Sequence, residues 1–209
     1  MLSRFFELLA GLQAVTPADA EFLYDAATPD GALRLANLRR YLELSAGART
    51  LLVGEAPGWR GATITGVPFM SVRELTARPG LLTGSRDGDG FAEPRDPAAG
   101  WELSASIVQK ALRGWRVPVV NWPVYPNHPF IAGDRATNRP PRVPEVRAGA
   151  PIALELVTAL GIRRVVAIGR KAEHALASAG IEATAVRHPA QGGAALFAAG
   201  MAALAEEAA

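Results

Sequence analysis

Apolar positions along the chain follow two spacings in turn. Residues 3–13 repeat them at helical intervals, and residues 17–27 continue after Thr16 and Pro17, a capping residue followed by the proline that a first helical turn accepts. A third helix is expected over about 31–45, closed near Gly47. The pattern then changes. Residues 49–53 form a short apolar run ending at a glycine, the mark of a buried strand. Similar runs stand at 117–121, 163–168 and 183–186. Helical spacing returns between them over 102–115, over 144–160 behind Pro144, and from Gly169 to about Ala179, and residues 193–207 close the chain as a helix. Two stretches break both patterns: 79–100, rich in Gly, Pro and Asp, and 123–143, rich in Pro and Asn, both expected as loops.

Strands alternating with helices predict a parallel sheet covered on both faces. The expected fold is a three-layer α/β/α sandwich around four parallel strands. No repeat and no linker interrupts the chain, so residues 1–209 are read as one domain, with the helices of 1–47 packed on its core. The length suffices for that, and 49% hydrophobic with 20% charged residues is a globular balance.

Composition narrows the chemistry. There is no cysteine, which excludes disulfides and cysteine-ligated zinc or iron–sulfur centres. The histidines are His128, His174 and His188, so an all-histidine metal site would need every one. No metal and no cofactor are expected. No apolar run is long enough to span a bilayer, and the amphipathic first residues lack a secretory pattern, so no membrane partner and a cytoplasmic location are expected. Charge is uneven. Residues 1–102 carry 10 basic and 13 acidic side chains, whereas 103–204 carry 12 and 5. Nearly all the basic residues are Arg, which suits bidentate phosphate contacts, although an Arg-, Ala-, Gly- and Pro-rich chain also follows from a GC-rich genome. The basic half modestly favours a polyanionic partner.

In an open parallel sheet, ligands bind beyond the carboxyl ends of the strands. Four segments are placed there: Gly54-Glu55-Ala56-Pro57-Gly58, Asn121-Trp122-Pro123, Gly169-Arg170-Lys171, and Arg187-His188-Pro189-Ala190-Gln191-Gly192-Gly193. Taken singly, each has a plain reading as a tight turn, a turn-forming Asn, a solvated helix start or a rigid His-Pro corner. The first is not a Walker loop, because it lacks the Gly-Lys-Ser/Thr ending. Their conjunction, in this order, is far more specific.

The segments VGEAPG at 53–58, TGVPF at 65–69, VVNWPVYPNHP at 119–129, AIGRKAEHAL at 167–176 and VRHPAQGG at 186–193 resemble uracil-DNA glycosylases. The likeness is to bacterial members with a GEAPG first motif, extends over most of 49–200, and is to a branch without the cysteines that often hold an iron–sulfur cluster in that group. It implies a base-flipping hydrolase that removes uracil from DNA and leaves an abasic site, with DNA as partner and free uracil as product. A monomer is expected.

The resemblance also implies roles. Phe69 would stack on the uracil. Asn121 would read its edge, the amide offering a donor to O4 and an acceptor to N3–H, a pattern cytosine reverses. His188 would donate to O2 as charge moves onto the departing base. Gly54, Ala56, Pro57 and Gly58 would line the pocket. The best-known branch has an Asp where Ala56 stands and a Tyr where Gly58 stands. Glu55, or carbonyls of the turn, would therefore hold the water, and Gly58 would open a wall that excludes thymine. Asn138, Arg139, Arg170, Lys171, Arg187, Gln191 and Gly192 would contact DNA. Leu196 and Phe197 are a candidate wedge, His128 a candidate pocket residue, and His174 a structural one. Two other readings stay open: action on another deaminated or 5-modified base, and binding of DNA or nucleobase without turnover, which Ala56 keeps alive.

Overall fold

The computed structural model describes residues 2–95 and 100–207. Its core is a four-stranded sheet of β2 (Thr50–Gly54), β3 (Val119–Pro123), β5 (Arg164–Ile168) and β6 (Thr184–Val186). The spatial order is β3-β2-β5-β6, and every neighbouring pair is parallel. β2 and β3 are buried along their whole length and β5 over its last three residues, so burial on both sides rewards their continuous apolar sequence, whereas β6, at the edge, exposes Thr184 and Ala185 and buries Val186. Successive side chains then point to opposite faces. Leu51, Val53, Val120 and Trp122 face a layer built from α1 (Ser3–Gly11), α2 (Pro29–Leu44), α6 (Val143–Leu160) and α7 (Gly169–Ser178), where Phe5, Leu38, Leu156 and Leu176 are fully buried. Leu52, Val119, Val166 and Ile168 face α5 (Leu103–Leu112) and α8 (Ala194–Glu207) through Val108, Phe197 and Met201. The three-layer α/β/α architecture is thus as the sequence predicts. No helix among the described residues is long and apolar enough to cross a membrane.

Residues 17–27 are not a helix. Ala20–Glu21 forms β1, paired antiparallel with β4 (His128–Pro129). The chain has two Thr-Pro steps, and the second one caps. The Thr28 hydroxyl accepts from the Gly31 N–H at 3.1 Å, with Pro29 opening α2. The Thr16 hydroxyl instead donates to the Leu12 carbonyl and accepts from Asn127 at 2.7 Å, so it closes the preceding turn.

Two short helices, α3 (Ala62–Thr65) and α4 (Val72–Leu75), occupy the segment after the first turn. The described part of the 79–100 loop is anchored. The buried Asp89 carboxylate accepts from the Leu82 and Thr83 N–H groups and the Thr83 hydroxyl, and Asn37 bonds both polar backbone groups of Ala92.

Candidate active site

The first turn leaves β2 at Gly54. The carbonyls of Gly54 and Glu55 accept from the Val124 and Tyr125 N–H groups at 2.9 and 3.1 Å, which ties the turn to the chain leaving β3. A Cβ at Gly54 would stand 2.7 Å from the tip of the Phe69 ring, so only glycine lets that ring rest on the turn. Phe69 has φ +54°, a left-handed backbone rare for a bulky residue. Gln109 of α5 holds it there, donating to its carbonyl at 3.0 Å. Strain of this kind costs on the order of 1–3 kcal/mol and persists where the surroundings over-determine it.

Gly54, Ala56, Pro57, Gly58, Phe69 and Glu102 share one small pocket of about 30 Å³. That is about the room of one water molecule. It is less than the volume of a pyrimidine ring. The pocket therefore unites the expected residues of the first turn with Phe69.

Asn121 lies in the middle of β3, opposite Leu52, and not at its end. The strand continues through Trp122 and Pro123, which is tolerated because β3 is an edge strand. The alternation puts the Asn121 side chain on the face of Leu52 and Val119, the face against which Phe69 packs. Its backbone N–H donates to the Tyr41 hydroxyl at 2.6 Å, and burial raises that phenol and keeps it protonated. The residue is only 1% exposed, yet its Oδ1 has no partner among the described residues. A buried acceptor left unpaired costs about 1–3 kcal/mol.

His188 follows β6. Its Nδ1 accepts the Ala190 N–H at 3.1 Å. A backbone N–H can only donate, so a neutral ring carries its proton on Nε2 and presents it as a donor. Burial first, then Arg187 and Lys171, lower its pKa and favour that neutral form. Gly169, at φ +81°, makes room for the ring, since a Cβ there would stand 2.9 Å from that of His188. Gly193 does the same for the His188 carbonyl. The β5 and β6 loops thus meet at this residue.

Glu55 is partly buried, with its Oε2 4.0 Å from Lys171 Nζ. Burial raises its pKa against the pull of Lys171. It is not among the residues that line the pocket. Glu102 is, and sequence reasoning missed it. It precedes α5 and makes no capping bond from its side chain. Its Oε1 would lie 2.7 Å from a Cβ at Gly58, and its Oε2 would overlap one at Gly61. The space beside Gly58 is therefore filled by a carboxyl, which corrects the expectation of an opened wall. Burial, reinforced by Glu74, raises Glu102 to about 7. The only sequence signal was an acidic residue at the start of an apolar-periodic segment, and that usually denotes a helix cap.

Arg170, Lys171, Arg187, Gln191 and Gly192 are all exposed. Arg170 and Lys171 open α7, so the first turn of that helix and the His188 loop present one edge. Gln191 has φ +54°, which fixes the tip of that loop in an unusual turn. Leu196 is 65% exposed whereas Phe197 is core, which separates the two candidate wedge residues. His174 is exposed on α7. Asn138 is exposed, but its Oδ1 accepts from the Trp59 N–H at 3.0 Å and sits 3.2 Å from the buried His128 Nε2. His128 therefore fixes the 137–138 backbone behind the first turn.

Arg139 departs from expectation. All its N–H groups go to Asp19, Glu145 and the Pro140 carbonyl, and its side chain is 13% exposed. These pairs leave no donor for a phosphate. The hydrogen bonds of Arg142 first, then those of Arg139, hold Asp19 well below the usual carboxylate range. Arg142 adds to the same cluster through Asp19. The signal was unreadable in sequence because Asp19 lies 120 positions from Arg139.

The fold resembles that of a solved structure, wild-type Pedobacter heparinus SMUG2, with a TM-score of 0.53 over 78% of this chain and 76% of that one, at 14% identity. The likeness is one of fold. No protein-family model and no curated protein matches the chain.

Proposed function

We propose that the protein is a DNA glycosylase of the uracil-DNA glycosylase superfamily that hydrolyses the N-glycosidic bond of uracil in DNA. The observation that carries this reading is the Oδ1 of Asn121, buried in β3 without a partner among the described residues, on the sheet face against which Phe69 packs. An orphaned buried acceptor calls for a ligand bearing an N–H donor, and an aromatic ring on the same face suits a flat one. Uracil N3–H is such a donor, whereas the N3 of cytosine is an acceptor. The amide nitrogen would donate to O4.

The remaining parts support the same reaction. A flipped nucleotide would displace the present pocket wall and stack on Phe69. His188 would donate from Nε2 to O2, where negative charge grows as the bond breaks, so its contact is stronger in the transition state than in the ground state. Arg170, Lys171 and Arg187 would take phosphates along the exposed edge, with Asn138, Gln191 and Gly192 beside them. Free uracil and an abasic site would be the products, and the chain would act as a cytoplasmic monomer. The superfamily resemblance of the motifs and the fold of the solved neighbour both agree with this reading.

The test is cleavage of an oligonucleotide carrying one uracil, as single strand and opposite G and A, followed by alkaline scission of abasic sites. Expected is scission by the wild type and its loss by about 10²-fold or more in His188→Ala, with a comparable loss in Asn121→Ala. A folded wild type that releases no uracil from any substrate refutes the reading.

A further inference from the structure

The residue standing where the best-known branch keeps its water-holding carboxylate is Ala56, which has no side chain to do that work. Among the described residues, the carboxyls of Glu55 and Glu102 lie beside the turn. Glu55 reaches toward Lys171 and does not line the pocket. Glu102 lines it beside Ala56, Pro57 and Gly58. It comes from the start of α5, far along the chain, and only the two glycines, Gly58 and Gly61, leave space for its oxygens. An alanine at either position would push it out.

We propose that Glu102 is the group that takes the proton from the water attacking the sugar C1′. The proposal rests on the glycosylase reading given above. In the step, the water oxygen forms a bond to C1′ as the C1′–N1 bond breaks. The electron pair of that bond leaves with the base, whose O2 faces the Nε2–H of His188. The water's proton passes to the Glu102 carboxylate, and thence to solvent or to the departing base. An ionised Glu102 also places a negative charge beside a sugar that becomes cationic as the bond lengthens.

Its surroundings suit that role. Burial and Glu74 bring Glu102 to about 7, and a general base works best when its pKa lies near the operating pH. Glu74, on α4, is itself fixed by the Ser71 backbone and hydroxyl and by Ser106, to which the Trp101 indole donates at 2.8 Å. The cation in the adjoining turn, Arg60, is drawn over the Trp59 ring, 4.3 Å from its centroid.

The test is single-turnover release of uracil by the full chain from pH ~5 to ~9, for wild type, Glu102→Gln, Glu55→Gln and Glu102→Ala. For the wild type the rate should rise with pH, half-maximal near about 7. Glu102→Gln should lose the pH limb and about 10²-fold of the plateau, with duplex binding unchanged, whereas Glu55→Gln should keep the limb. If Glu102→Gln unfolds, Glu102→Asp decides: a carboxylate drawn back by one methylene should lower the plateau and keep the limb. A Glu102→Gln variant that retains rate and limb overturns the proposal while the glycosylase reading stands. So does a Glu102→Ala variant that keeps its uracil rate and gains release of thymine, because the carboxyl is then only a wall. A wild type silent on every substrate removes both readings.

Discussion

Replacing Glu102 by Gln should weaken catalysis and strengthen the fold, and the second effect can be worked out from the structure. The folded chain holds the Glu102 proton up to about pH 7, whereas an ordinary glutamate releases it near 4.5. Between those values the folded state binds more protons than the unfolded state, so stability falls as pH rises through this window. At ~1.4 kcal/mol for each pH unit between the two values, the wild type loses about 3 kcal/mol by the time the group is ionised in both states. Glutamine keeps the shape and never ionises. The two proteins should therefore be about equally stable near pH ~4, where the carboxyl is protonated folded or unfolded, and should diverge towards pH ~8. In a chain of this length, about 3 kcal/mol corresponds to a rise in Tm of roughly 6–12 °C. The assay is urea and thermal denaturation of both proteins across that range. Other titrations, including those of the Asp19 cluster, occur in both proteins and cancel in the difference. A gap that does not widen with pH would refute the reasoning, since it would mean that Glu102 ionises as freely folded as unfolded.

Three further outcomes are expected. Gly54→Ala should fold, because the added methyl meets the tip of a partly buried ring, but should displace Phe69 and cost about 10²-fold in uracil release, measured at single turnover. Asn121→Leu should abolish release and raise the urea midpoint by the equivalent of about 1–3 kcal/mol, because it removes an unpaired acceptor from the interior. Arg139→Ala should lower the urea midpoint by removing one of the two cations, Arg139 and Arg142, that pair with Asp19 and Glu145. It should leave the salt dependence of DNA binding untouched; a slope of log K against log[salt] that becomes shallower by about 1 would show a phosphate contact after all.

What sequence could and could not foresee follows from the range of the interactions. The central strands were legible because burial on both faces writes itself as unbroken apolar runs, and the short β6, which buries only Val186, was legible from its place between two helical segments. The end of β3 was not, since Asn121 reads as a turn former and only the pairing of Trp122 and Pro123 with β2 carries the strand two residues further. The 17–27 segment has helical spacing, but its Ala20 and Glu21 are claimed by His128 and Pro129, more than a hundred residues on. At the site, the local motifs named residues that the fold places together, the first turn with Phe69 in one pocket, and the β5 and β6 loops at His188. Arg139 and Glu102 escaped it for one reason in opposite directions. A charge is functional or structural according to its neighbours. The neighbours of Arg139 are two carboxylates, the remote Asp19 and the nearby Glu145, whereas Glu102 has instead two glycines and another carboxylate, Glu74.

The costs carried by this fold also bear on function. Phe69 sits in a strained backbone, Asn121 buries an unpaired acceptor, and Glu102 is held where ionisation is unfavourable. Each has a support that prevents relaxation: Gln109 on the Phe69 carbonyl, Tyr41 on the Asn121 backbone, and the Ser71–Glu74–Ser106 cluster behind Glu102. Packing alone explains none of them, because a leucine, an ordinary turn or a glutamine would be more stable at each place. Their meeting is what the hydrolase reading accounts for. Phe69 and Glu102 line one pocket, and Phe69 packs on the sheet face that carries Asn121. Local rules broken together, with dedicated supports, are what a site selected for chemistry over stability looks like.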